Sequence, residues 1–197
     1  MKDLEDMTLE ELWKLFPIVI EEHNPQFKDW YEMERQALVA ALGGDILRIH
    51  HVGSTAVADL AAKPIIDILL EVSTQTDHEQ LQKRLQSLDW LLMHATAAPQ
   101  PKQTYNKGYT SQGFADRVYH LHVRPLDDWD ELYFRDYLID HPEIAREYGQ
   151  LKLALKERYR NDRDAYTEAK TDFCRTYSEQ ARLLYGQRYR PTASSEA

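Results

Sequence analysis

The chain has 197 residues, 43% hydrophobic and 29% charged, with 7 Gly and 8 Pro, enough to bury ~70% of its unfolded surface in one unit and a composition that excludes disorder and fibre. Its 24 Lys and Arg against 33 Asp and Glu give a net charge of -9, which repels polyanions unless the basic residues gather in one cleft, so long nucleic acid is not an expected partner. The single cysteine, Cys174, excludes an internal disulfide and a Cys-rich zinc site and points to a reducing cytoplasm, while no apolar run reaches membrane-span length and the start, Met-Lys-Asp-Leu-Glu-Asp, lacks the order of a signal peptide.

Thr8-Leu9-Glu10-Glu11 carries the Ser/Thr-x-x-Glu arrangement of a helix start and predicts a short helix through Phe16. Pro17-Ile18-Val19-Ile20 is an apolar, β-branched run expected as an edge strand. Asn24-Pro25 then punctuates the chain before an amphipathic helix striped by Trp30, Met33, Leu38 and Leu42 and stopped at Gly43-Gly44. Ile46 to Val52 and Ile65 to Val72 read as strands joined by a short connection of small residues, with Pro64 opening the second. Residues 77–88 predict a helix with Leu81, Leu85 and Leu88 on one side, and Trp90 to Met93 begin another strand. Ala97 to Gly113, with Pro99, Pro101 and Gly108, is expected as a mobile flap.

Val118 to Val123 is the last predicted strand, closed by Pro125, and the pattern beyond Asp128 is helical. Leu132, Tyr137 and Leu138 mark one helix, Ala145, Tyr148, Leu151 and Leu155 a second after Pro142, and a third runs from about Asp164 to Tyr185. The predicted class is α+β. Residues 1–128 form an α/β core with a small mixed β-sheet flanked by helices, residues 129–190 a C-terminal helical lobe packed on it as one compact unit, and residues 191–197 a tail.

The densest group of chemistry-bearing residues is His50-His51-Val52-Gly53-Ser54-Thr55-Ala56-Val57 followed by Ala61-Ala62-Lys63-Pro64-Ile65-Ile66-Asp67-Ile68. A strand that ends in Gly53-Ser54-Thr55 lets backbone N–H groups and hydroxyls approach an anion, phosphate above all. The alternative for the same residues is a plain turn with Ser54 or Thr55 capping a helix.

These segments resemble the GrpB family, itself related to the DNA polymerase β-type nucleotidyltransferases. The resemblance continues at His120-Leu121-His122-Val123, at Phe134-Arg135-Asp136-Tyr137-Leu138 with His141-Pro142, and at Tyr148, Leu151-Lys152 and Leu155, spanning about Trp30 to Phe173. It implies a nucleotidyltransferase-like fold, a nucleoside triphosphate held by Gly53 and Ser54, and Asp67 at the first metal-binding carboxylate. The superfamily's second carboxylate position carries Leu69. Glu71 lies four residues from Asp67 along the strand, ~13 Å away at ~3.3 Å per residue, too far to share an ion. His120 and His122, two apart on a strand, project to one face and are expected to face Asp67 as an N,N,O metal site suited to zinc, manganese or iron more than to magnesium. The alternative is that they only hydrogen-bond Asp67, Ser54 or a phosphate, and His51 could join either arrangement.

Lys63 is the cation expected at the phosphates, with Arg117 on the wrong face of a regular strand and Lys107 a looser candidate. Tyr148 and Lys152, like Tyr166 and Lys170, are four apart and share a helix face, either lining the wall that holds base, sugar and phosphate or packing aromatic rings under lysine stems. Cys174 reads as a buried filler.

The leading reading is a nucleotidyltransferase-like protein that binds a nucleoside triphosphate and a divalent metal (manganese, zinc or magnesium) and transfers a nucleotidyl group to a small-molecule acceptor. Two others compete: a nucleotide-binding module that has lost transfer, and a metal-dependent hydrolase built on Asp67, His120 and His122. If Leu69 merely vacates a ligand position, a carboxylate introduced there is expected to add magnesium affinity.

Overall fold

The computed structural model describes residues 2–97 and 100–192. Helix α1 (Leu9–Leu15) begins with reciprocal bonds: the Glu11 N–H donates to Thr8 Oγ1 and the Thr8 N–H to the Glu11 carboxylate at 2.7 Å. Helix α2 (Phe27–Leu42) buries Phe27, Leu38 and Leu42 and stops at Gly43. Met33, expected in the stripe, turns outward, and its neighbour Glu34 takes the buried place, where Lys107 Nζ reaches it at 2.8 Å.

Strands β1 (Ile46–Val52), β2 (Ile65–Val72), β3 (Leu91–Thr96), β4 (Lys102–Thr110) and β5 (Gly113–Pro125) form one mixed sheet in the order β1-β2-β5-β4-β3. Only β2 and β5 pair in parallel. Helix α3 (His78–Gln86) sits between β2 and β3, with Asp77 capping the N–H groups of Glu79 and Gln80. Alternation along the strands sorts the sheet into two faces. Ile66, Ile68, Leu70 and Val72 of β2 join Tyr119, Leu121 and Val123 of β5 in the main core, closed by Phe27, Leu38 and Leu42 of α2 and Leu81 and Leu85 of α3. Truncating one of these, such as Ile68→Ala, costs ~2–5 kcal/mol. The opposite face carries Asp67, which pairs in register with His120, and Leu69, which pairs with His122.

Helix α4 (Asp130–Asp140) packs on that second face, and α5 (Pro142–Arg158) and α6 (Arg163–Tyr185) pack on α4 beside it. Pro142 opens α5 where its missing N–H costs nothing, and Asp162 caps α6 by accepting from the Ala165 N–H at 3.0 Å. Trp129 and Leu132 pack on Val52 and Leu69, while Leu138, Ala145 and Tyr148 close over Val57 and Leu60. The sheet and the helical lobe thus share apolar clusters.

Three expectations change. Residues 17–20 form no strand: Glu21 makes one isolated bridge to Ala62, and the Ile18 N–H donates to the Arg160 carbonyl. The apolar alternation is real, but Ile18 and Ile20 bury against Tyr166 of α6 instead of joining the sheet. The expected flap is mostly strand β4, whose Tyr105 enters the main core and whose polar Gln103 and Asn106 are buried in the ladder. Ala98 and Pro99 of that segment lie outside the described residues, as do residues 193–197 of the expected tail. Strand β5 also begins well before Val118, at Gly113, and closes at Pro125.

Candidate active site

At the end of β1 the backbone of Gly53 adopts φ 70° and ψ -172°, a conformation open essentially only to glycine, and the chain turns through Ser54–Ala56. The turn is held from beneath. Thr55 Oγ1 donates to the Ile65 carbonyl at 3.3 Å and lies 2.9 Å from His51 Nε2, so the Thr55 hydroxyl braces the turn. Burial, with the charge of Arg135, brings the His51 pKa down to about 4 against the pull of Asp67; the ring is neutral and stacks on Tyr31. Arg135 donates to the His51 carbonyl at 3.0 Å and to Asp136 at 2.6 Å, tying the turn to α4.

Ser54 and Thr55 open into a cleft of about 220 Å³ lined also by Lys63, Asp67 and His120 from the sheet side and by Lys152, Arg163, Tyr166 and Lys170 from α5 and α6. Lys152 is 2% exposed and donates from Nζ to Ser54 Oγ at 2.8 Å. The ammonium groups of Lys63 and Lys170 each lie 4.6 Å from the centre of the Tyr166 ring. Arg163 stands 5.8 Å from the Tyr109 ring, its Nε buried without a partner. Burial lowers the pKa of all three lysines. Lys63 falls to about 7 with the charges of Arg163 and Lys170 adding to burial, Lys152 to about 7 with Lys170 adding, and Lys170 is lowered by burial against the pull of Cys174 and Asp67.

Asp67 is the carboxylate of this cleft. Burial raises its pKa, but hydrogen bonds and charge from His120 and His122 outweigh burial and hold it below the usual range. His120 Nδ1 lies 3.1 Å and His122 Nε2 3.8 Å from Asp67 Oδ1, so both histidines face Asp67 as expected. The other nitrogen of His120 meets the Tyr109 hydroxyl at 2.8 Å. His120 therefore has both ring nitrogens engaged in an Asp67–His120–Tyr109 chain, and among the described residues no three His, Cys, Asp or Glu side chains gather as a metal site.

The remaining expected residues divide cleanly. Lys63, expected at the phosphates, lines the cleft and is partly buried there. Lys107 and Arg117 lie on the other side of the sheet, Lys107 on Glu34 and Arg117 3.4 Å from Met33 Sδ. Glu71 is fully buried beside Arg48 at 2.6 Å. Cys174 is partly buried and contacts the Tyr148 hydroxyl at 3.5 Å. Arg163 and Tyr109 are additions that the sequence reading passed over, though Arg163, Thr167 and Lys170 recur at the spacing of one helical face.

The model of the GrpB protein family matches residues 17–180. UPF0157 protein PA4798 of Pseudomonas aeruginosa is 40% identical over 150 residues, covering 76% of this chain and 61% of that protein. The chain spans only 61% and 46% of the length of the first two curated relatives it matches. Among solved structures, the conserved protein GrpB of Enterococcus faecalis superposes with a TM-score of 0.75 at 29% identity, covering 85% of this chain and 99% of that one. A weaker likeness, with a TM-score of 0.44 at 14% identity over 80% of this chain and 53% of the other, is to the non-canonical poly(A) polymerase complex GLD-2–GLD-3. Among the described residues no helix is long and apolar enough to cross a membrane. On the family match and the similarity to its solved member, this chain belongs to the GrpB family.

Proposed function

We propose that the chain binds a nucleoside triphosphate by its phosphates in this cleft, with a divalent ion, and transfers a nucleotidyl group to a small-molecule acceptor. The carrying observation is charge. Lys63, Lys152, Arg163 and Lys170 line one cleft with the single carboxylate of Asp67, on a chain whose net charge is -9. Gathering one buried and three partly buried cations costs desolvation, which an oligophosphate with its many acceptor oxygens offsets. Ser54 and the backbone beyond Gly53 add donors. A groove of about 660 Å³ that shares Ser54, Thr167 and Lys170 with the cleft, walled by Phe134 and Tyr148, has room for base and sugar.

Asp67 would hold the divalent ion, which would neutralise phosphate oxygens when bound. One carboxylate and no three-ligand cluster among the described residues fit magnesium, which takes most of its shell from phosphates and water, better than zinc. His120, with both ring nitrogens held by Asp67 and Tyr109, orients the Asp67 carboxylate in the same cleft.

A nucleotide-binding module without transfer is the second reading. It is favoured by Leu69, 1% exposed beneath Trp129 and Leu132 where a second carboxylate would stand. Thermal shift with ATP, GTP, CTP and UTP plus magnesium, followed by a pyrophosphate-release assay, separates the two. A shift that Ser54→Ala weakens, with pyrophosphate release, supports transfer; a shift alone supports the module; no shift with any nucleotide sinks both.

A further inference from the structure

Lys152 is 2% exposed, and among the described residues it forms no ion pair. A lysine buried for structural reasons normally sets its ammonium against a carboxylate, because an unpaired buried charge is destabilising. Lys152 has instead the Ser54 hydroxyl at 2.8 Å and the face of Tyr148, with Nζ 4.6 Å from the ring centre. Ser54 stands on a turn that only glycine can enter in this way, directly after a strand, and its side chain lines the cleft. Hydroxyl and buried amine are therefore held within hydrogen-bond reach at the wall of an anion-attracting cavity.

We propose that Ser54 and Lys152 form a nucleophile–base dyad that accepts a phosphoryl group from a phosphate ester or anhydride bound in the cleft, giving a covalent phosphoserine. The inference rests on the phosphate-binding reading above and adds a step to it. Ser54 Oγ forms a bond to phosphorus while its proton passes to the Lys152 amine; the bond from phosphorus to the leaving oxygen breaks, and that oxygen keeps the electron pair and takes the proton from the Lys152 ammonium. In the second half, water or an acceptor hydroxyl attacks phosphorus and gives its proton to Lys152, which returns a proton to Ser54 Oγ as it departs. Lys63, Arg163 and Lys170 surround the transferred oxygens with positive charge.

The charge state of Lys152 suits this role. Burial and the charge of Lys170 bring its pKa to about 7, with Cys174 and Asp67 opposing. The groups that face it are Ser54, Tyr148, Cys174, Lys170 and, across the cleft, Asp67, Lys63 and Arg163.

The test uses the full chain with two reagents, ATP and a fluorophosphonate, with intact-mass and peptide analysis of Ser54. A covalent adduct on Ser54 is expected, its rate at subsaturating reagent, where the ligand-free chain's protonation governs, rising with pH through about 7 and at least about 100-fold slower in Lys152→Arg, which keeps the charge and cannot accept the proton. No adduct with either reagent, an adduct elsewhere than Ser54, or an unchanged rate in Lys152→Arg overturns the dyad. Should Lys152→Arg not fold, the wild-type profile decides, and a flat rate between about pH 6 and 8 overturns it. Thermal shift with ATP in parallel keeps the two readings apart: a shift without an adduct defeats only the dyad.

Discussion

The α-carbon of Gly53 rests against the carboxylate of Asp67. A methyl group built on it would overlap Asp67 Oδ2 and lie 3.1 Å from both Cβ and Cγ. The turn that presents Ser54 and the strand that presents Asp67 are thereby held at a distance that admits no side chain between them. Gly53→Ala meets this overlap and a backbone conformation closed to alanine, so it is expected to lower stability by ~1–3 kcal/mol and to abolish the nucleotide thermal shift. Urea unfolding and thermal shift on the same samples check both. A variant with wild-type stability and an undiminished shift would show that the turn relaxes without consequence.

The lysines make a prediction about protons. Lys63 and Lys152 sit at about 7 in the folded chain, first through burial, against 10.5 for the free side chain. Below about 7 both folded and unfolded chains hold these protons and the burial penalty is full; between about 7 and 10.5 the unfolded chain holds more, so stability contributed by these groups rises with pH over that window. A bound triphosphate favours the charged form and raises both pKa values. Nucleotide binding near pH 7.5 should therefore take up protons, and affinity should fall from about pH 7 to 9. Calorimetry in buffers of different ionisation enthalpy measures the uptake directly, and zero uptake would place the phosphates away from Lys63 and Lys152.

Much of this site was legible in the chain, and the remainder fails for identifiable reasons. The β-branched runs of β1 and β2 announce strands, and a glycine-serine step between them marks the turn. Asp67, His120 and His122 share a face because strand parity requires it. Strand β4 escaped because its buried Gln103 and Asn106, flanked by Pro101 and Gly108, read as loop when the polar partners across the sheet are unknown. Arg163 escaped, and Lys170 was placed only as a wall candidate, because the cleft is assembled from segments about a hundred residues apart. Spacing places both on one face of a helix, but only the packing of α6 on α4 and α5 turns that face toward Ser54.

Asp67 is one negative charge among four cations, and this gives Asp67→Asn a divided effect. Without a divalent ion, removing the carboxylate relieves repulsion and should strengthen binding of the free triphosphate. With magnesium, the wild type should gain affinity and the variant should gain little, because an amide is a poorer magnesium ligand than a carboxylate. Titration of ATP into both proteins, with magnesium or with a chelator, reads the difference. An equal magnesium increment in the two proteins would mean that Asp67 does not touch the ion and serves only to orient His120.

Leu69 decides how far the missing carboxylate can be restored. The sequence suggests that Leu69→Asp would set a second acidic ligand beside Asp67. In the folded chain Leu69 is 1% exposed and packs with Val52, Trp129 and Leu132, and it is not among the residues that line the cleft. A carboxylate there would be a charge without a partner under an indole ring, at a cost of roughly 3–5 kcal/mol, while Leu69→Met, which keeps volume and apolar character, should cost less than about 1.5 kcal/mol. Urea unfolding should show that contrast, together with no gain in magnesium affinity for Leu69→Asp. If Leu69→Asp instead kept wild-type stability and bound magnesium more tightly, the segment that starts α4 at Trp129 would have to lift from β2, enlarging the cleft until Leu69 lined it. The cover of Trp129 and Leu132 would then be a lid over a two-carboxylate site and not part of the core.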